Sequence, residues 1–107
     1  MSKQFDLIAI GAGSGGLSVV ERAAKYGAKC AVIEFAEMGG TCVNRGCVPK
    51  KVMWYGANLA HAMHHASDYG FDVQIGKLNW EKLVAKRENM IGGINDWYYD
   101  FLNESGV

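Results

Sequence analysis

Apolar residues come in short runs at the start of this chain and at helical spacing in its second half. Residues 5–10 are mostly apolar apart from Asp6 and stop at glycine, which predicts a short buried strand. Over residues 17–26, Leu17, Val20, Ala24 and Tyr26 fall on one side and Glu21, Arg22 and Lys25 on the other. That pattern predicts an amphipathic helix closed by Gly27. Residues 30–33 read CAVI, a second buried strand that ends at Glu34. Strand, helix and strand in this order make a β-α-β unit.

The second half follows a different period. Val52, Tyr55, Leu59, Met63 and Ala66 share one face of a helix predicted over residues 50–66, a face expected to pack into the core. Residues 67–77 hold Asp68, Gly70 and Gly76 and read as a connection. Asn79 is placed to cap a long helix starting near Trp80, along which Leu83, Val84, Arg87, Met90, Ile91, Ile94, Trp97, Tyr98 and Phe101 keep helical spacing. Gly92 and Gly93 leave room for a bend in it. His61 and His65 are four apart, but no acidic motif accompanies them, and packed or solvated histidines are expected, with no metal.

Only two strands are predicted, too few for a sheet covered by helices on both faces. The expected fold class is therefore α/β, the N-terminal β-α-β portion of a Rossmann-like domain with two long helices, incomplete as it stands. Residues 1–107 are expected to form one incomplete domain, cut from something longer or completed by another segment.

Lys plus Arg and Asp plus Glu both number 11, so the net charge is zero and no electrostatic footprint for nucleic acid exists. No apolar run reaches the length of a membrane span, and the short apolar N-terminal run does not read as a signal peptide. Three cysteines without an export signal point to a reducing cytoplasm, where a cysteine pair more often cycles than staples.

The chemistry sits in two stretches. GAGSGG at residues 11–16 places Gly11, Gly13 and Gly16 in the G-x-G-x-x-G pattern: a tight turn, a close approach to pyrophosphate, and a close helix–strand contact. Glu34, eighteen positions beyond Gly16, lies where such a cradle puts an acid on a ribose hydroxyl, and its charge would repel a 2′-phosphate. In GGTCVNRGCVPKK at residues 39–51, four residues separate Cys42 from Cys47, with Gly46 to let the chain turn between them. Cys47 falls near the start of a helix, with Arg45, Lys50 and Lys51 close in sequence, conditions that favour a thiolate. A structural disulfide, half a metal site and two ordinary buried thiols remain as plainer readings of the spacing alone. A flavin explains the cradle and the cysteine pair together, because it accepts a hydride and passes two electrons to a disulfide.

These stretches, with Asp68-Tyr69-Gly70-Phe71, Asn79-Trp80 and the helix that carries Tyr98, resemble the pyridine-nucleotide disulfide oxidoreductases, and among them the bacterial type of glutathione reductase. Pro49 followed by Lys50 and Lys51 separates the motif from the Pro-Ser-Lys typical of lipoamide dehydrogenases and mercuric reductases. The resemblance implies an FAD-dependent, NADPH-fed reductase of glutathione disulfide that works as a homodimer. It implies that Cys42 exchanges with substrate and that Cys47 is the flavin-side thiolate. Ser14, Gly15, Glu34, Thr41 and Cys42 would touch FAD, Lys50 would lie beside its reactive ring, and Ser14 and Tyr98 would touch glutathione. NADPH would bind a domain outside this sequence, and none of the three histidines matches the family's general acid. Arg45, Glu21, Trp97 and Phe101 depart from the family pattern and leave trypanothione-like or other small disulfides open as substrates.

Overall fold

A computed structural model describes residues 2–107. Two short strands, β1 (Leu7–Ile10) and β2 (Cys30–Ile33), pair in parallel with Leu7 opposite Cys30 and Ile10 opposite Ile33. The crossover between them is α1 (Ser14–Lys25), which completes the predicted β-α-β unit. A short helix, α2 (Gly40–Arg45), follows, then α3 (Cys47–His65), a single 3-10 turn at Ala66–Tyr69, and the long α4 (Trp80–Ser105). The architecture is Rossmann-like α/β with part of the usual sheet.

The strands were expected to be buried on both faces, and they are covered on one. Leu7 and Ala9 of β1, with Cys30 and Val32 of β2, turn toward α1 and pack with Leu17, Val20 and Leu102. The alternate side chains face outward: Ile10 is 89% exposed and Ile33 is 56% exposed. Side chains alternate across a strand, so a single helical layer can cover only every second residue. β1 also starts at Leu7, later than predicted. Asp6 instead closes the strand's edge, its N–H donating to the Lys29 carbonyl and its carboxylate accepting from the Lys29 N–H.

Helix boundaries moved for equally local reasons. α1 begins at Ser14, inside the glycine motif, and Tyr26 is its C-cap, 86% exposed, so Tyr26 does not belong to the packed side. α3 begins at Cys47, three residues before the prediction, because a proline in the first helical turn gives up an N–H that has no partner there. The predicted core face of α3 is met in part: Val52, Met63 and Ala66 are half-buried. Tyr55 and Leu59 are exposed, and α3 buries no residue completely. It meets α4 at Gly56, one turn after Val52 on the same side of the helix, where Gly56 lies against Leu83.

α4 runs unbroken through Gly92 and Gly93, capped by Asn79, whose side chain accepts from the Lys82 N–H at 3.0 Å. A cap of this kind contributes about 1 kcal/mol. Of the predicted stripe, Ile91 is buried while Met90 and Trp97 are exposed, and Leu102, absent from the prediction, joins the core. The molecule is elongated, 69 × 25 × 19 Å with a radius of gyration of 20.0 Å. A compact domain of this length would have about 13 Å. No helix among the described residues is long and apolar enough to cross a membrane.

Candidate functional site

Two glycine-rich turns meet at the centre of the site. The first follows β1: the Gly11 N–H donates to the Ile33 carbonyl at 2.7 Å, which binds the turn to the end of β2. Gly13 caps α1 without any side-chain hydrogen bond, and the first turn of α1 carries no acid. The unpaired N–H groups and the positive end of the helix dipole there favour an anion. Space is open above them, since a Cβ placed on Gly15 meets nothing within 4 Å. These residues fit the pyrophosphate of a dinucleotide.

The second turn, Met38-Gly39-Gly40, lies directly against the first. The Gly39 N–H donates to the Ala12 carbonyl at 2.8 Å, and a Cβ on Gly40 would stand 2.7 Å from the Gly13 Cα. Backbone touches backbone here, so the cradle and the cysteine-bearing helix α2 are built on one another.

Glu34 is the third part. Its carboxylate accepts from the Ala12 N–H at 2.8 Å, the Phe35 N–H at 2.9 Å and the Ala36 N–H at 3.0 Å. The sequence suggested a ribose contact; the structure gives the same carboxylate a bracing role between the glycine turn and the end of β2. A carboxylate offers about four lone-pair sites, so one stays available to a hydroxyl. The bond from Ala12, then that from Ala36, holds the carboxyl pKa below its ordinary 4.5. A folded-state pKa below the unfolded value means stability that is present above pH 4.5 and lost as pH falls through the folded pKa. Glu34→Gln should therefore lower the unfolding midpoint of the whole protein near neutral pH, with the gap to wild type narrowing below pH 4.5. Thermal unfolding across that range is the check, and a gap that does not change with pH contradicts it.

Cys42 lies in α2 and Cys47 is the first residue of α3, both as free thiols, Cys47 the more exposed. Gly46 stands between the two helices. A Cβ there would be 3.0 Å from the Thr41 carbonyl oxygen and 3.3 Å from the Cys42 Cα, so a bare backbone lets the chain fold back on itself. As a result Cys47 is brought beside Cys42. The Cys47 thiol beside it, followed by partial burial and the Cys47 charge, pushes the Cys42 thiol up, while the Cys47 N–H and the Lys50 ammonium pull it down. Lys50 is thus brought to the cysteines, as its place in the sequence suggested.

A second set of contacts escaped the sequence reading. Asn44 of α2 donates through Nδ2 to the Met38 carbonyl at 3.1 Å and the Gly40 carbonyl at 2.9 Å. Asn95 of α4 donates through Nδ2 to the same Met38 carbonyl at 2.6 Å and to Asn44 Oδ1 at 2.9 Å. One signal was available: Asn95 interrupts the apolar side of α4, four residues after Ile91 and three before Tyr98.

Ser14 and Thr41 are exposed at the starts of α1 and α2, beside the cradle. Tyr98 packs with Trp97 and Phe101, ring centroids 5.0 and 6.5 Å away, against the edge of the core. Glu21 pairs with Lys25 one turn on, which offsets its charge.

Residues 5–100 match the family described as pyridine nucleotide-disulphide oxidoreductase. The chain is 49% identical to the glutathione reductase of Schizosaccharomyces pombe, over 100% of this chain and 24% of that protein. It is 45% identical to the glutathione reductase of Debaryomyces hansenii, over 98% of this chain and 23% of that protein. A third glutathione reductase, from a Nostoc species, is 44% identical over 100% of this chain and 23% of that protein. The chain thus spans about a quarter of the length of these curated relatives.

Proposed function

The chain belongs to the pyridine nucleotide-disulphide oxidoreductases, and from that premise we propose that it forms the N-terminal part of the FAD-binding domain of an NADPH-dependent glutathione-disulfide reductase. The observation that carries this reading is the pair of neighbouring thiols, Cys42 and Cys47, mounted next to a turn that packs backbone to backbone against a dinucleotide cradle. The three glutathione reductases to which the chain is 44–49% identical support the choice of substrate.

FAD, when bound, supplies the route by which a hydride from NADPH becomes an electron pair for the cysteine disulfide. The glycine turn, Ser14, Gly15, Glu34 and Thr41 hold it, with Lys50 close to the cysteines. Once the disulfide is open, Cys47 keeps the negative charge at the N-terminus of α3 and Cys42 holds the remaining proton. Loss of that proton frees Cys42 to attack one sulfur of glutathione disulfide, forming a mixed disulfide and releasing one glutathione. The Cys47 thiolate then attacks the Cys42 sulfur, releases the second glutathione and restores the Cys42–Cys47 bond. Over a cycle, NADPH, a proton and glutathione disulfide give NADP⁺ and two glutathiones. Ser14 and Tyr98 are the residues of this chain proposed to receive glutathione, and a cytoplasmic homodimer is the proposed working form.

The whole protein, purified, is expected to be yellow and to oxidise NADPH on addition of glutathione disulfide. Turnover with a trypanothione-like disulfide, lipoamide or mercuric ion in its place moves the substrate assignment and leaves the disulfide chemistry standing. Flavin binding without turnover of any of them defeats the enzyme reading.

A further inference from the structure

We propose that Asn44 and Asn95 are positioning residues that fix the Cys42 sulfur against Cys47 by anchoring the turn that launches α2, and that they link this turn to α4. The inference rests on the reductase reading above. α2 has only six residues, fewer than a helix needs to persist unaided, and its N-cap, Gly39, has no side chain to satisfy its N–H groups. Val43 is its one buried residue. Something outside α2 must therefore hold it in place.

The Met38 carbonyl is where that hold acts. It receives two amide donors, Asn44 Nδ2 at 3.1 Å and Asn95 Nδ2 at 2.6 Å, while the Met38 side chain is buried in the core. Asn44 also donates to the Gly40 carbonyl within α2, and its own Oδ1 receives Asn95 at 2.9 Å. The Asn95 amide therefore bridges the turn and the helix. Both asparagines are half-buried, where an amide left without partners is costly. Cys42 stands four residues beyond Met38 and two before Asn44, so its position follows from these bonds. Asn95 also precedes Tyr98 by three positions and shares its side of α4, so a ligand held at Tyr98 would bear on the helix that holds the turn.

Loss of the anchor should let Cys42 drift from Cys47. The contact that holds the Cys42 proton then weakens, and the thiol ionises more readily. The test uses the whole FAD-loaded protein reduced with dithiothreitol, with iodoacetamide alkylation followed site by site by peptide mass spectrometry. Asn95→Ala is expected to speed alkylation of Cys42 relative to Cys47 by about three- to thirty-fold, as is Asn44→Ala, with the double variant no faster than either single one. Asn95→Leu, which fills the space without an amide, should match Asn95→Ala and serves if that variant fails to fold. Asn44→Asp, which keeps the oxygen that receives Asn95 and loses both donors, serves if the leucine variant also fails. A lower unfolding midpoint with an unchanged ratio of Cys42 to Cys47 alkylation overturns the proposal, as do effects that add in the double variant. Alkylation of chemically reduced thiols needs neither NADPH nor substrate. A wild-type protein without glutathione disulfide turnover would therefore defeat the reductase reading on its own, separately from this result.

Discussion

Cys42→Ser and Cys47→Ser should each lower NADPH-dependent reduction of glutathione disulfide by the whole protein at least about a thousandfold, because the two sulfurs act as one unit. What separates them is the covalent state they leave. In Cys47→Ser, Cys42 can still attack glutathione disulfide, but no neighbouring thiol remains to resolve the mixed disulfide. One glutathione should therefore stay on Cys42 and be found there by peptide mass spectrometry. With Cys47 gone, its side-chain and charge influences that raise the Cys42 pKa go with it and only partial burial still raises it, so capture should be readier at neutral pH. In Cys42→Ser, Cys47 should stay unmodified in the FAD-loaded protein. Exposure alone would argue the reverse, since Cys47 is the more open of the two thiols in this chain. The proposed roles weigh more: Cys47 is the thiol assigned to the flavin side, so glutathione disulfide would meet Cys42 first. Glutathione found on Cys47 of the Cys42→Ser protein, and none on Cys42 of the other, would exchange the two roles.

The parts legible in the sequence were those set by local chemistry. The glycine turn, the helix that follows it, the Asn79 cap and the placing of Cys47 near a helix start depend on residues within a few positions of one another, and all appear as expected. The misses depend on what lies across the molecule. Tyr55 and Leu59 have the spacing of a core face, yet no described element covers them, so the period of α3 identified the half-buried Val52, Met63 and Ala66 and placed the edge of the buried side too far round. Ile10 and Ile33 look like core residues in sequence for the same reason. Asn44 and Asn95 lie 51 positions apart, and only the packing of α2 on α4 makes them partners. The bracing role of Glu34 was hidden too, because three of its acceptor sites are used by backbone N–H groups that no pattern of side chains reveals.

Gly16→Ala should cost the protein its flavin and much of its stability, whereas Gly15→Ala, one residue earlier in the same helix, should leave the fold intact. A methyl on residue 16 runs into the Gly11 carbonyl and lies 3.6 Å from the Ala9 Cβ. Little around it can move. The Gly11 N–H is bonded to Ile33, the Ala12 N–H to Glu34, and the Ala12 carbonyl to the Gly39 N–H, so the turn is held at each residue. The remaining relief is for α1 to lift from β1, which opens space beneath Leu17 and Val20, both buried. Loss of packing around two such side chains costs on the order of 3 kcal/mol or more. Lifting α1 also turns its N-terminal N–H groups away from the pyrophosphate. At residue 15 the added methyl meets nothing within 4 Å, and alanine favours the helix by about 1 kcal/mol over glycine. Thermal unfolding and flavin absorbance of the two whole proteins make the comparison. If Gly16→Ala retains flavin and unfolds with Gly15→Ala, the close packing of α1 on β1 does not hold the cradle in shape.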